Sequence, residues 1–220
     1  MRIVFCGVGA LGSHAGWLCR NLPAEMSFVD FDRVESKNLL AQAFTKQALG
    51  RNKAEAMRLQ LLNFYGVRAT AFPVRIESTN VESLGEPADL LVDCLDNVAG
   101  RHVLSTYARA SSKPLVHAAL SADGQFGLIR WDEHFVPDPE DVAGQATCEG
   151  GEHLPAIARI GAALAGIVQE FVELGLKRDV MVARSGITTT SLVDASPATR
   201  RYHVPSSRSA GAQANDFEVR

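Results

Sequence analysis

Gly7, Gly9 and Gly12 form a Gly-x-Gly-x-x-Gly turn directly after the apolar run Arg2-Ile3-Val4-Phe5-Cys6. Glycine suits such a turn because the backbone must bend tightly and must let a phosphate approach closely. The helix that follows offers free N–H groups and a positive dipole end to an anion. Asp30 ends the next apolar segment, 18 residues after Gly12 (30 − 12). A carboxylate there can accept hydrogen bonds from ribose hydroxyls. The pattern means either a ligand-free tight turn or a nucleotide site, the latter most often for NAD or FAD.

The elements that must position these residues follow from patterning. Residues 2–6 read as a buried parallel strand, and a helical stretch runs on to about Asn21, closed by Pro23. Met26–Asp30 is the second strand of a βαβ unit. Residues 31–50 are polar and irregular, a loop with a short helix. Asn52 can cap a helix whose apolar face is Ala54, Met57, Leu61 and Leu62. Strands are expected at Val67–Val74, Ala88–Cys94, Pro114–Ala119 and Gly124–Trp131, with a helix at about Val98–Ala110. A long surface loop at 132–152 precedes an apolar helix over Leu154–Leu176, and one further strand is expected within Val180–Val193. The expected organisation is one domain over 1–194 and a disordered tail over 195–220. Alternating strands and helices predict an α/β fold with a doubly wound, mostly parallel sheet, whose ligands bind at the C-terminal strand ends.

Composition narrows the classes. The 22 Lys and Arg against 25 Asp and Glu leave a net charge of -3, which argues against a dedicated nucleic-acid binder. No apolar run is long enough to span a bilayer, and the N-terminus enters a strand without the apolar region of a signal peptide. Cys6, Cys19, Cys94 and Cys148 are scattered and form no Cys-x-x-Cys pair. The expectation is a cytoplasmic protein with reduced thiols.

Further motifs decide between nucleotide-binding classes. Asp30-Phe31-Asp32 leads into Asn38-Leu39-Leu40-Ala41-Gln42, then Gly50-Arg51-Asn52-Lys53-Ala54, then Asp93-Cys94-Leu95-Asp96-Asn97 with Arg101 beyond. In order and spacing these stretches resemble the ThiF/MoeB/HesA family, relatives of the E1 ubiquitin-activating enzymes, over about residues 2–175. Any one motif is weak, and the series is specific.

The resemblance implies the doubly wound adenylation fold and an ATP-dependent adenylyltransferase. Its substrate would be the C-terminal carboxylate of a small ubiquitin-like protein or peptide, activated for sulfur transfer or conjugation. It implies a nucleotide site made of Gly7, Gly9, Gly12, Asp30, Asp32, Asn38, Gln42 and Lys53. Asp30 would hold the ribose. Lys53 would place a cation on the triphosphate, where charge builds as pyrophosphate leaves; otherwise it is a solvated charge on a helix face. Asp96 would bind Mg²⁺, and otherwise caps the helix starting near Val98. Arg101 is expected to be a structural partner on that helix.

Three departures from the family pattern stand out. Ala41 occupies a position where the family usually has an arginine. The N-terminal helix that delivers an arginine to the neighbouring subunit is expected to be absent, leaving Arg20, Arg33, Arg51 or a partner protein to supply cations. The paired Cys-x-x-Cys motifs are missing, so no structural zinc is expected. Cys148, before Glu149-Gly150-Gly151-Glu152-His153, resembles the family's loop cysteine and is a candidate catalytic thiol; otherwise it is a spare surface thiol. Cys6, Cys19 and Cys94 are expected to be inert core. His14, His117 and His153 receive no role. The resemblance further implies a homodimer. Competing readings are an NAD-dependent oxidoreductase, a tRNA-modifying relative of the fold, and a catalytically silent scaffold.

Overall fold

A computed structural model describes residues 1–121, 123–136 and 151–193. Eight strands form one sheet in the order β3-β2-β1-β4-β5-β6-β7-β8. They are β1 (Arg2–Cys6), β2 (Glu25–Val29), β3 (Ala69–Phe72), β4 (Leu90–Asp93), β5 (Leu115–Leu120), β6 (Phe126–Trp131), β7 (Lys177–Ala183) and β8 (Gly186–Val193). The first five are mutually parallel and the last three join antiparallel. The helices are α1 (Ala10–Leu18), α2 (Lys53–Tyr65), α3 (Val81–Gly85), α4 (Val98–Ser111) and α5 (Leu154–Leu174).

Residues of β1 alternate between two cores, as a doubly covered sheet requires. Ile3 and Phe5 pack with residues of α1, α2 and α5, including Ala15, Met57, Leu61, Ile160 and Leu164. Val4 and Cys6 pack on the other face with Val81 and Leu84 of α3 and Leu104 and Ala108 of α4. Crossover from β3 through β1 to β4 reverses the strand order between β1 and β4, and this reversal is where ligands bind in such sheets.

Helix ends follow local chemistry. Asn52 caps α2 by accepting the N–H of Glu55 at 3.1 Å, and Gly66 closes it in the left-handed conformation. One expectation is corrected. The single strand expected within 180–193 is a hairpin, because Arg184 and Ser185 form a two-residue turn and Ala183 pairs with Gly186. Residues 31–50 carry two 3₁₀ turns, Ser36–Leu40 and Lys46–Ala48. Most of the expected loop at 132–152 and all of the expected tail at 195–220 lie outside the described residues.

Candidate active site

The glycine turn is built into the end of β1. Gly7 has φ +88°, and a Cβ there would stand 2.6 Å from the carbonyl oxygen of Cys94. A Cβ on Gly12 would stand 2.0 Å from the carbonyl oxygen of Gly7, so the first turn of α1 rests directly on the loop. Gly9 has nothing within 4 Å of its Cβ position and no side chain caps α1. The turn is thus closed on its protein side and open on the side where a phosphate would lie.

Asp30 follows β2 and is largely buried. Its carboxylate accepts the N–H of Val8 at 2.7 Å and the N–H of Asp32 at 2.8 Å. It therefore clamps the glycine turn to the end of β2. A carboxylate has about four lone-pair sites, which leaves capacity for ribose hydroxyls. Burial pushes the Asp30 carboxyl above its usual range, against the pull of the Lys53 charge and of the two N–H bonds.

Lys53 is placed by backbone stitching. Asn52 Nδ2 donates to the carbonyls of Asp30 (2.8 Å) and Asp32 (3.1 Å), and Lys53 N donates to Asp32 O at 2.8 Å. The start of α2 is thereby held against the end of β2. The Lys53 side chain is only 10% exposed, and Nζ lies 3.0 Å from Asp32 Oδ2. That enclosure is unlike a solvated helix charge.

Asn38 is buried and its Oδ1 accepts the N–H of Glu35 at 2.8 Å, so part of its hydrogen-bonding capacity closes the 3₁₀ turn. Gln42 is also buried, and its Oε1 has no hydrogen-bond partner. A buried amide oxygen without a donor is costly, and a bound ligand is one way to satisfy it. Ala41 is fully buried, and its carbonyl faces His14 Nε2 at 3.2 Å. Burial lowers the pKa of His14, opposed by its contact with that carbonyl. Of the alternative cations, Arg20 lies over Tyr65 at 4.4 Å and over Trp17 at 5.5 Å. Arg33, which donates to Gly50 O, and Arg51 are exposed on the segment leading to Lys53.

Asp96 is exposed in the turn between β4 and α4. The cap of α4 is Asn97, whose Oδ1 accepts the N–H of Gly100 at 2.8 Å. The capping role thus falls to the neighbour and leaves the Asp96 carboxylate available. No group of three or more His, Cys, Asp or Glu side chains among the described residues forms a metal cluster. A single carboxylate suits Mg²⁺ carried by nucleotide phosphates, since Mg²⁺ binds through one or two carboxylates plus phosphate oxygens.

A second constellation lies behind this turn and has no counterpart among the residues singled out for chemistry. His117, fully buried on β5, places Nδ1 2.6 Å from Asp93 Oδ2 and Nε2 3.0 Å from Asp132 Oδ1. Asp132 also accepts from Ser105 Oγ at 2.5 Å and from Arg109 Nε at 2.6 Å. Burial opposes a charge on His117, yet its bonds to Asp132 and Asp93 raise its pKa overall. Burial likewise opposes ionisation of Asp132, but the His117, Arg109 and Ser105 bonds bring its pKa down to about 2. The available signal was an ionisable residue inside each of two apolar strands, Leu-Leu-Val-Asp and Leu-Val-His-Ala.

Burial pushes the Cys19 thiol up to about 12, and it raises the thiols of Cys6 and Cys94 as well, so all three stay protonated. Cys148 lies outside the described residues. His153 stands in the turn before α5. There it lines a cavity of about 280 Å³ with Gln125, Phe126, Arg159 and Arg184, where β6 starts and β7 ends.

This fold is an α/β domain of the doubly wound type. The sequence profile of the ThiF family matches residues 1–166, and the chain belongs to that family. It is 30% identical over 192 residues to the Drosophila virilis "Adenylyltransferase and sulfurtransferase MOCS3", covering 83% of this chain and 42% of that protein. It is 28% identical over 176 residues to the Debaryomyces hansenii "Adenylyltransferase and sulfurtransferase UBA4", covering 74% of this chain and 39% of that protein. The chain thus spans about two fifths of the length of these relatives. Its fold matches that of E. coli MccB crystallised with ATP, at a TM-score of 0.67 and 18% identity over 87% of this chain and 64% of that one. No helix among the described residues is long and apolar enough to cross a membrane.

Proposed function

We propose that this chain uses ATP to adenylylate the C-terminal carboxylate of a small ubiquitin-like protein or peptide, for sulfur transfer or conjugation. Residues 1–194 form its adenylation domain. The observation that carries this reading is the enclosed Lys53, paired with Asp32 and stitched beside Asp30, whose carboxylate clamps the glycine turn. A dehydrogenase has no use for a buried cation there. The names of the MOCS3 and UBA4 relatives support the same activity.

In the proposed reaction a substrate carboxylate oxygen bonds to the α-phosphorus of ATP while the bond to the β-phosphate oxygen breaks. The products are an acyl-adenylate and pyrophosphate. The chain contributes positioning and charge rather than covalent chemistry. The glycine turn and the start of α1 receive phosphate, Asp30 takes the ribose hydroxyls, and Lys53 neutralises charge on the departing pyrophosphate. Gln42 Oε1 accepts from the nucleotide, and the unused capacity of Asn38 accepts from or donates to it. Mg²⁺, held by Asp96 and phosphate oxygens, would supply further charge neutralisation.

Nucleotide choice tests the reading directly. ATP with Mg²⁺ is expected to raise the melting temperature, because a ligand bound only by the native state stabilises it, whereas NAD is expected to do little. A strong shift with NAD and none with ATP would refute adenylylation. Assembly as a cytoplasmic homodimer is part of the proposal, and light scattering at micromolar concentration should give twice the monomer mass; a monomer mass alone would remove it. Cys148 is proposed to intercept the acyl-adenylate, its thiolate sulfur bonding to the acyl carbon as AMP leaves. Mass spectrometry with the acyl partner should show a thiol-sensitive adduct in the wild type and none in Cys148→Ala, with pyrophosphate exchange retained. Full-rate transfer by the variant would make Cys148 a bystander.

A further inference from the structure

Leu95, which precedes Asp96, is pinned on both sides of its backbone. Its N–H donates to Asp93 Oδ1 at 2.9 Å. Its carbonyl accepts from Arg101 Nε at 2.8 Å and Nη2 at 2.5 Å, and the same Nη2 reaches Ala118 O on β5 at 3.0 Å. Asn97, which follows Asp96, is fixed as the cap of α4. Asp96 is therefore suspended between two anchored neighbours, and one of those anchors is the Asp93 carboxylate.

That carboxylate is in turn held from behind. Its Oδ2 receives His117 Nδ1, and His117 Nε2 reaches Asp132, which Ser105 and Arg109 hold from α4. Phe135 lies flat over the imidazole, with ring centroids 3.9 Å apart and planes at 11°, and closes the row from above. Three ionisable side chains in an enclosed row are a poor way to gain stability. Apolar residues of similar volume usually do as well or better. The row ends on the one turn that presents Asp96.

We propose that Asp93, His117 and Asp132 are positioning residues that hold the Leu95–Asp96 turn so that Asp96 meets the Mg²⁺-bearing nucleotide. This rests on the role proposed for Asp96 above. The row would act on the Mg²⁺-dependent part of nucleotide binding, while Asp30 and Lys53 are held by other contacts.

The test is titration of the full chain with a fluorescent ATP analogue, with and without Mg²⁺. Asp96→Asn, the double variant His117→Leu/Asp132→Leu and their combination are compared with wild type. Mg²⁺ is expected to tighten wild-type binding about tenfold. In the double variant that gain should fall to about threefold or less, with metal-free affinity unchanged. The combined variant should bind no more weakly than Asp96→Asn alone, because both act through one group. His117→Gln, which keeps one donor, is read in the same way should the double variant not fold. Retention of the full Mg²⁺ gain by the His117 variants, or additive losses, would overturn the positioning role while leaving the adenylylation reading standing. A wild type that binds ATP without any Mg²⁺ gain would overturn the role of Asp96 itself, and this proposal with it.

Discussion

Lys53→Ala is expected to lower ATP–pyrophosphate exchange by about a hundredfold, while the protein still folds. Removing one preorganised charge or donor from a developing anion typically costs 10²–10³ in rate. Lys53 qualifies because its side chain is 10% exposed and because Asn52 and the Asp32 carbonyl fix the start of its helix. The substitution also leaves Asp30 and Asp32 without their shared cation. The Asp30 carboxyl, already pushed up by burial, should rise further. Lys53→Arg is not expected to rescue, since a planar fork does not replace a compact point charge in an enclosed slot. Asp96→Asn should lower exchange by at least about tenfold, or about 1.4 kcal/mol. Exchange within about threefold of wild type in Lys53→Ala would show that the enclosed lysine is structural.

His117→Leu is expected to destabilise the protein by about 3 kcal/mol. Removing one member of a buried ionic set leaves the other charges uncompensated, which costs 3–5 kcal/mol. For a domain of this size that corresponds to a melting temperature lower by roughly 6–12 °C. Both ring nitrogens face carboxylate oxygens, so both act as donors and the native ring is an imidazolium. The groups facing it are Asp93 and Asp132, with Arg101, Arg109 and Ser105 of α4 around them.

The sign of the pH dependence follows. The pKa of His117 is raised in the folded protein, so its contribution is fully present below the unfolded value of about 6.5 and is lost as pH rises through the folded value. Asp93 and Asp132 are lowered, so theirs is present above about 3.9 and is lost as pH falls through their folded values, about 2 for Asp132. For Asp93, burial acts against this lowering, and Arg101 and the His117 bond outweigh it. Denaturant melts across pH should therefore show wild-type stability declining above roughly pH 6.5, with His117→Leu flat over that window. A parallel decline in the variant would place the titrating group elsewhere.

What could be read from sequence was what neighbours along the chain decide. The glycine turn after an apolar strand, the carboxylate ending the next strand and the Asn52 cap all depend on backbone demands within a few residues. The series from Asp30 through Lys53 to Asp96 was legible as a family pattern because its order and spacing survive in one dimension. The hairpin at 183–186 escaped, because an apolar and Thr-rich run with a short polar interruption reads equally well as one strand. The Asp93–His117–Asp132 row escaped for a stronger reason. Its members are separated by 24 and 15 residues and lie on separate strands and a turn. Nothing in the local sequence of His117 distinguishes an imidazolium from a packed neutral ring. Only the parallel pairing of β4 with β5 and the antiparallel return of β6 bring two carboxylates to its two nitrogens, and in a buried site it is that contact which decides its charge.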